Sequence, residues 1–212
     1  MEFERLLGIV ENEPVFETGL LLSGKVDPLD IRKQLSRWLD AGKIYQLRRG
    51  LYCLAPPYQK VRPHPFLVAN HLQTGSYVSR QSALAHYGMI PESVPTTSVS
   101  TGRPEILSTP LGVYDFHHIQ IKWLRSYGRI ELGNGQHAFI ASPEKALLDL
   151  VYLQPEGDSR NYLKELRLQD LERLDMDKMQ GLARELNKPK LMRAVALIQK
   201  LINEEKTEYE QL

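Results

Sequence analysis

Within the first 60 residues, the spacing of apolar residues changes once along the chain. Apolar residues recur at helical spacing up to residue 41 and then alternate as they do in strands. Gly50 marks a tight turn between the two strands. The predicted elements are three helices, 3–10, 15–23 and 27–41, and two strands, 43–48 and 51–54.

The third predicted helix has clear boundaries in the sequence. Asp27 is a suitable N-cap, and Pro28 suits the first helical position because its missing N–H would be unpaired there. Gly24 closes the preceding helix, and Gly42 ends this one. The apolar face of the helix consists of Ile31, Leu35, Trp38 and Leu39.

A helix followed directly by a basic hairpin is typical of the second half of a winged helix-turn-helix, in which the helix enters a DNA major groove. The polar face of the helix and the turn of the hairpin carry cations that could contact phosphates or base edges. The alternative is that these side chains form an ordinary solvated surface. The candidate DNA-binding residues are Arg32, Lys33, Ser36, Arg37, Arg48, Arg49, Lys25 and Lys43.

The rest of the chain consists of segments that differ in their patterns of apolar residues and prolines. Residues 55–65 hold four prolines and predict a linker or an extended strap. Short strands and helices follow up to residue 155, and the pattern is helical from Ser159 onward. We therefore expect an α+β fold in three parts: a winged helix-turn-helix over residues 1–60, a mixed α/β domain over 61–155 and a helical C-terminal extension over 156–212.

The mixed segment has its own element signals. Ser79 could cap a helix that ends at Gly88, and Gly133-Asn134-Gly135 is a strong hairpin signal. Glu144 is an acid in the first turn of a helix, where the positive end of the helix dipole stabilises its charge. The predicted helices are 66–72, 79–87 and one beginning at Ser142, and the predicted strands are 77–78, 96–101, 112–121, 130–132 and 137–141.

Composition narrows the class of protein. The formal net charge is +1, so no global field attracts nucleic acid, but residues 25–60 carry eight basic residues against three acidic ones. Cys53 is the single cysteine, which excludes an intramolecular disulfide and fits a reducing compartment. The N-terminus has no signal-peptide pattern, and no apolar run is long enough to span a bilayer. We expect a cytoplasmic protein.

The sequence offers no catalytic constellation, so we do not expect an enzyme, a cofactor or a bound metal. The six histidines are scattered without metal-site spacing. No glycine elbow surrounds Ser79 or Ser82, and no carboxylate pair follows Gly75-Ser76. A second basic surface, or merely a set of solvated side chains, is formed by Arg80, Arg103, Lys122, Arg125 and Arg129.

The order of these segments resembles the AbiEi family, the antitoxin half of type IV toxin–antitoxin systems. Four stretches in the same order carry the likeness: RRGLYCL at 48–54, YVSRQSALAHYGMIP at 77–91, the stretch from Val99 past Arg103 to FHHI at 116–119, and ASPEKALLDLVY at 141–152. The helical segment after Ser159 matches the family less clearly.

The resemblance implies a protein of two functional parts. The winged helix would bind inverted repeats in its own promoter, with a homodimer as one suitable geometry, and repress the operon. The C-terminal part would counter a nucleotidyltransferase-type toxin, typically without a stable complex. Two alternatives stay open: a protein-interaction module that neutralises its partner by direct binding, and a generic winged-helix regulator outside any toxin–antitoxin pair.

Overall fold

The computed structural model describes residues 1–22, 26–91 and 95–209, with side chains described up to residue 204. The fold is mixed α+β with two sheets in this part of the chain. The predicted helix end at Ser23, the stop at Gly24 and the candidate DNA contact Lys25 lie outside the described residues.

The N-terminal unit comprises residues 1–60, and its described part contains three α-helices, three strands and a short 3₁₀ helix at Pro56–Tyr58. One predicted boundary was wrong, because Phe16 and Glu17 do not start a helix but pair with Tyr52 and Leu51 as a short strand. The second helix therefore begins at Thr18. The elements are α1 (Phe3–Val10), β1 (Phe16–Glu17), α2 (Thr18–Leu21), α3 (Pro28–Asp40), β2 (Ile44–Arg48) and β3 (Leu51–Leu54).

Helix α3 begins where the sequence predicted. The Asp27 carboxylate accepts the backbone N–H of Leu29 at 2.8 Å, and Pro28 occupies the first turn. Gly42 follows the helix at a φ of +64°, a conformation that glycine adopts without a Cβ penalty. The buried side chains of the helix are Ile31, Leu35 and Trp38, which leaves its charged face outward.

The three-stranded sheet has the strand order β1-β3-β2, and each of its faces belongs to a different hydrophobic core. Alternate side chains of its strands point to opposite faces. One face packs with the N-terminal helices and consists of Phe16, Ile44, Tyr52 and Leu54. The other face joins the core of the rest of the chain through Leu47, Leu51 and Cys53. All four residues of β3 are therefore buried.

The proline-rich stretch after β3 is fastened at both ends. The Gln59 side chain donates to the Leu54 carbonyl oxygen at 2.6 Å. Gln136 accepts the backbone N–H of His64 at 2.7 Å and donates to the Arg62 carbonyl oxygen at 3.0 Å. Of the two predicted forms, the strap describes this segment better than a free linker.

A six-stranded mixed sheet forms the centre of residues 65–204, which we call the body. Its order is β6-β7-β5-β4-β9-β8, with parallel pairs β5–β7 and β4–β9. Strand β6 was not predicted, and the predicted strand to Ile121 ends at His118. The strands are β4 (Tyr77–Val78), β5 (Thr96–Ser100), β6 (Glu105–Thr109), β7 (Gly112–His118), β8 (Tyr127–Gly133) and β9 (Gln136–Ala141).

The helices of the body share one apolar core with this sheet, and that core continues into the C-terminal helices. The segments after Ser159 belong to this core, since Leu163, Met179 and Ile198 are fully or almost fully buried in it. The helices are α4 (Pro65–Leu72), α5 (Arg80–His86), α6 (Pro143–Leu153), α7 (Arg160–Glu165), α8 (Met176–Leu186) and α9 (Pro189–Tyr209). Within the described residues, no helix has both the length and the apolar character needed to cross a bilayer.

Candidate functional site

The polar face of α3 is a solvent-exposed basic surface. Its four candidate DNA-binding residues are all exposed, on the side opposite the buried apolar stripe. Lys33 lies 3.8 Å from the Asp30 carboxylate, an exposed ion pair that stabilises little. Among the described residues, the side chains of Arg32 and Arg37 have no hydrogen-bond or ion-pair partner. They are therefore available to an external phosphate or base.

The hairpin between β2 and β3 presents its two arginines differently. Arg49 is exposed at the turn, next to Gly50, whose φ is +83°. Arg48 instead donates to the His71 carbonyl oxygen, from Nε at 3.3 Å and from Nη2 at 3.2 Å, and lies 3.9 Å from Glu17. Within the described part of the chain, the Arg49 side chain at the turn has no partner, while Arg48 fastens the hairpin to α4.

Lys43 is the remaining described candidate. Its ammonium lies 4.5 Å from the centre of the Phe3 ring, where cation and ring attract each other. Lys43 is only partly exposed. It contributes positive charge close to α3 but has an internal partner.

A second polar site lies inside the body and was not predicted. On α6, Lys145 and Asp149 form an i,i+4 ion pair, and both side chains are 0% exposed. The Lys145 Nζ also donates to the Tyr77 hydroxyl at 2.6 Å. Asp149 accepts from the Tyr77 hydroxyl at 3.0 Å and from the Ser79 hydroxyl at 2.7 Å. Every charged group of this buried set therefore has a partner.

The environment shifts the ionisation of this set. Burial raises the pKa of Tyr77 far above its usual value, and the Asp149 carboxylate adds to the shift. Burial lowers the pKa of Lys145, and the neighbouring Asp149 carboxylate opposes that change. Such shifts occur in catalytic sites and in structural ion pairs alike. Because neither Lys145 nor Asp149 reaches solvent, we interpret the set as an internal brace between α6 and β4.

One predicted residue has a different role, and another has an additional one. Ser79 stands at the N-cap position of α5, but its hydroxyl makes no cap bond and donates to Asp149 instead. Glu144 lies in the first turn of α6, as expected, yet its side chain is only 5% exposed and pairs with Lys178 at 2.7 Å. It also accepts from the Ser142 hydroxyl at 2.7 Å. Glu144 therefore joins α6 to α8.

A half-open cluster lies next to the brace. Arg80 is the first residue of α5, two positions after the end of β4, and its side chain is 8% exposed. Its Nη1 lies 3.9 Å from Asp115 Oδ2 and contacts His117 Nε2, which is 2.9 Å from the same carboxylate oxygen. Asp115 and His117 are 28% and 27% exposed, so the cluster reaches the surface through them. We call Arg80, Asp115 and His117 the arginine cluster.

Three of the four stretches singled out in the sequence meet at this place. Residues 77–91 supply Tyr77 and Arg80, and residues 99–119 supply His117. Residues 141–152 supply Lys145 and Asp149. The remaining stretch, 48–54, lies in the hairpin of the N-terminal unit.

In the described part of the chain, no three side chains of His, Cys, Asp or Glu are grouped closely enough to hold a metal ion. No protein-family model matches the chain, and no curated protein sequence matches it either.

Proposed function

We propose that the N-terminal unit is a winged helix-turn-helix that binds double-stranded DNA. The observation that carries this proposal is the element order α1-β1-α2-α3-β2-β3 with the sheet order β1-β3-β2. In this arrangement α3 is the recognition helix and the β2–β3 hairpin is the wing. Arg32 and Arg37 on α3 and Arg49 on the wing are exposed and lack internal partners in the described residues.

The chemistry of DNA supports this assignment. Phosphates attract lysine and arginine, and an arginine side chain can also read guanine through two hydrogen bonds in the major groove. Affinity for DNA would come mainly from phosphate contacts, and specificity from side chains of α3. One winged unit covers a half-site, so an inverted repeat would be bound by two copies.

The wider function that we propose is that of an antitoxin that represses its own operon and counters a nucleotidyltransferase-type toxin. Its support is the resemblance of four ordered stretches to the AbiEi family. The convergence of three of them around the buried brace and the arginine cluster makes the body the part to test for toxin neutralisation.

The DNA-binding proposal is tested by fluorescence anisotropy of the full chain on its own upstream DNA, at low and moderate salt, against scrambled DNA. The informative variant is Arg32→Glu/Arg37→Glu. A matched control is Arg184→Glu/Lys200→Glu, which reverses two exposed cations on α8 and α9. We expect specific binding that the first variant abolishes and the second retains. If both variants bind as tightly as the wild type, α3 is not part of the DNA interface.

The antitoxin half needs a separate experiment. The chain is co-expressed with a neighbouring nucleotidyltransferase-like gene, and growth is measured with and without Arg32→Glu/Arg37→Glu. We expect growth rescue that survives this substitution, because neutralisation belongs to the body. A stable toxin complex together with no DNA shift would favour the direct-binding interaction module instead.

A further inference from the structure

Arg80 is a buried guanidinium with too few acceptors around it. Every nitrogen of an arginine side chain carries N–H donors, and buried donors are normally hydrogen-bonded. In the described structure Arg80 Nε is buried and has no partner. Its Nη1 reaches Asp115 Oδ2 only at 3.9 Å, which is beyond hydrogen-bond distance.

His117 adds a donor to the same place. Its Nε2 lies 2.9 Å from Asp115 Oδ2 and also contacts Arg80 Nη1. To bond the carboxylate, Nε2 must carry a hydrogen, and it then cannot accept from Arg80. Two donors therefore converge on the same carboxylate oxygen, Asp115 Oδ2, while the buried Arg80 Nε has no acceptor among the described residues.

The charged and polar groups near Arg80 do not correct this shortage of hydrogen-bond acceptors. The groups that act electrostatically on Arg80 are Asp115, Tyr162 and Asp149. Asp149 is already shared by Lys145, Tyr77 and Ser79, so it is not free to accept from Arg80. Arg80, the first residue of α5, also has a φ of +56°, a left-handed conformation that is uncommon outside glycine.

We propose that Arg80 and His117 form a binding site for a phosphate group. The oxygens of a phosphate accept from Arg80 through two parallel N–H groups and from His117 Nε2–H. A doubly charged ligand is required because it must compete with the Asp115 carboxylate for the same donors. The ligand enters past Asp115 and His117, the two partly exposed members of the cluster. This site goes beyond the proposed DNA interface and does not depend on it.

The phosphate could be inorganic or belong to a nucleotide, and titration calorimetry separates these sources. The full chain, in phosphate-free buffer at constant ionic strength, is titrated with inorganic phosphate and, in a second arm, with adenosine 5′-monophosphate. Saturable binding of both ligands indicates that the phosphate group alone suffices. Saturable binding of the nucleotide alone identifies a nucleotide site. In either case, Arg80→Gly should weaken binding at least about tenfold, the loss expected when a charge-assisted hydrogen bond is removed.

Arg80→Gly is chosen because glycine adopts a positive φ without strain, so the substitution removes the guanidinium and keeps the backbone. Arg167→Gly is a matched control, since Arg167 has a φ of +49° but an exposed side chain outside the cluster. The control should bind like the wild type. Wild-type affinity in Arg80→Gly, or no saturable binding of either ligand by the wild type, would overturn the proposal.

A second variant keeps the test decisive if Arg80→Gly does not fold. Asp115→Asn removes the carboxylate that competes with the ligand and keeps the side-chain shape. The proposal requires this variant to bind phosphate several-fold more tightly than the wild type. Unchanged or weaker binding would contradict it, because a site in which Asp115 merely stabilises Arg80 would lose affinity.

Discussion

The Arg48 guanidinium donates two hydrogen bonds to a single acceptor, the His71 carbonyl oxygen at the end of α4. This contact fixes the hairpin of the N-terminal unit on the body. We predict that Arg48→Gln lowers the free energy of unfolding by about 1 kcal/mol, which is less than is usual for hydrogen bonds from a charged donor because the side chain is partly solvated. Urea unfolding measures this change, and a variant as stable as the wild type would refute the anchoring role.

Arg49, the neighbour of Arg48, should behave in the opposite way. Its side chain is exposed and has no partner in the described residues. We predict that Arg49→Gln leaves the unfolding midpoint unchanged and reduces the slope of log affinity against log salt by about 0.9, the value for one phosphate contact. The slope is measured by DNA titration at several salt concentrations. An unchanged slope would mean that the turn does not touch DNA.

The second face of the three-stranded sheet leads to a prediction about truncation. Leu47, Leu51 and Cys53 are 5%, 0% and 0% exposed in the whole chain and pack into the core that continues through the body. A fragment of residues 1–60 would expose this apolar face. We predict that the fragment binds a hydrophobic dye and unfolds with little cooperativity, as followed by dye fluorescence and thermal circular dichroism. A cooperatively folded fragment with no dye binding would contradict the shared core.

The Lys145–Asp149 pair should be costly to break and cheaper to replace. Lys145→Met leaves a buried carboxylate without its counter-ion, and we expect a loss of about 3–5 kcal/mol of unfolding free energy. Lys145→Met/Asp149→Leu removes both charges, so its loss should be smaller than that of the single substitution. Denaturant unfolding of both variants decides this. A double variant less stable than the single variant would contradict this expectation. It would show that the hydrogen bonds from Tyr77 and Ser79 to Asp149 stabilise the fold more than the ion pair with Lys145 does.

His64 gives the stability a pH dependence of defined sign. Burial lowers the pKa of His64 below its usual 6.5, and nearby His86 adds to the shift. The ring Nδ1 accepts the backbone N–H of Phe66 at 3.1 Å, so protonation there removes the cap of α4. Because the folded pKa is the lower one, this stabilisation is complete above about pH 6.5 and is lost as the pH falls through the folded pKa.

The corresponding variant is His64→Asn, since asparagine caps helices without titrating in this range. We expect the drop in melting temperature from pH 7.5 to pH 5.0 to be smaller in His64→Asn than in the wild type. His137→Asn, at an exposed position on β9, serves as the control and should keep the full drop. Equal pH profiles of wild type and His64→Asn would exclude the cap as the source.

Local signals in the sequence predicted most of the helices and several strands. The cap at Asp27, the hairpin at Gly133-Asn134-Gly135 and the start of α6 at Ser142 depend on neighbouring residues alone, and all three are confirmed. Strand β1 was predicted as a helix because Phe16 and Glu17 become a strand only through pairing with residues more than thirty positions away. Strand β6 has mostly exposed residues and so lacks a hydrophobic alternation.

The buried brace was missed for a different reason. Lys145 and Asp149 lie in a run of apolar residues on α6, and charged residues in such a run are a usable sign of an internal pair. Their partners Tyr77 and Ser79 are distant in sequence, so the whole set could not be assembled by spacing. The arginine cluster has the same property, because Arg80 and His117 are brought together only by the pairing of β4, β5 and β7.

The buried position of β3 also limits how this chain can vary. Its odd and even residues fit two different neighbours, so a change in Leu51 or Cys53 has to be matched by the body, while a change in Tyr52 or Leu54 has to be matched by the N-terminal helices. In a chimera that exchanges residues 1–60 between two such proteins, the side chains of β3 would therefore no longer fit the surface of the body. Recombination of the two parts should succeed only when the crossover carries the matching surface of the body with it.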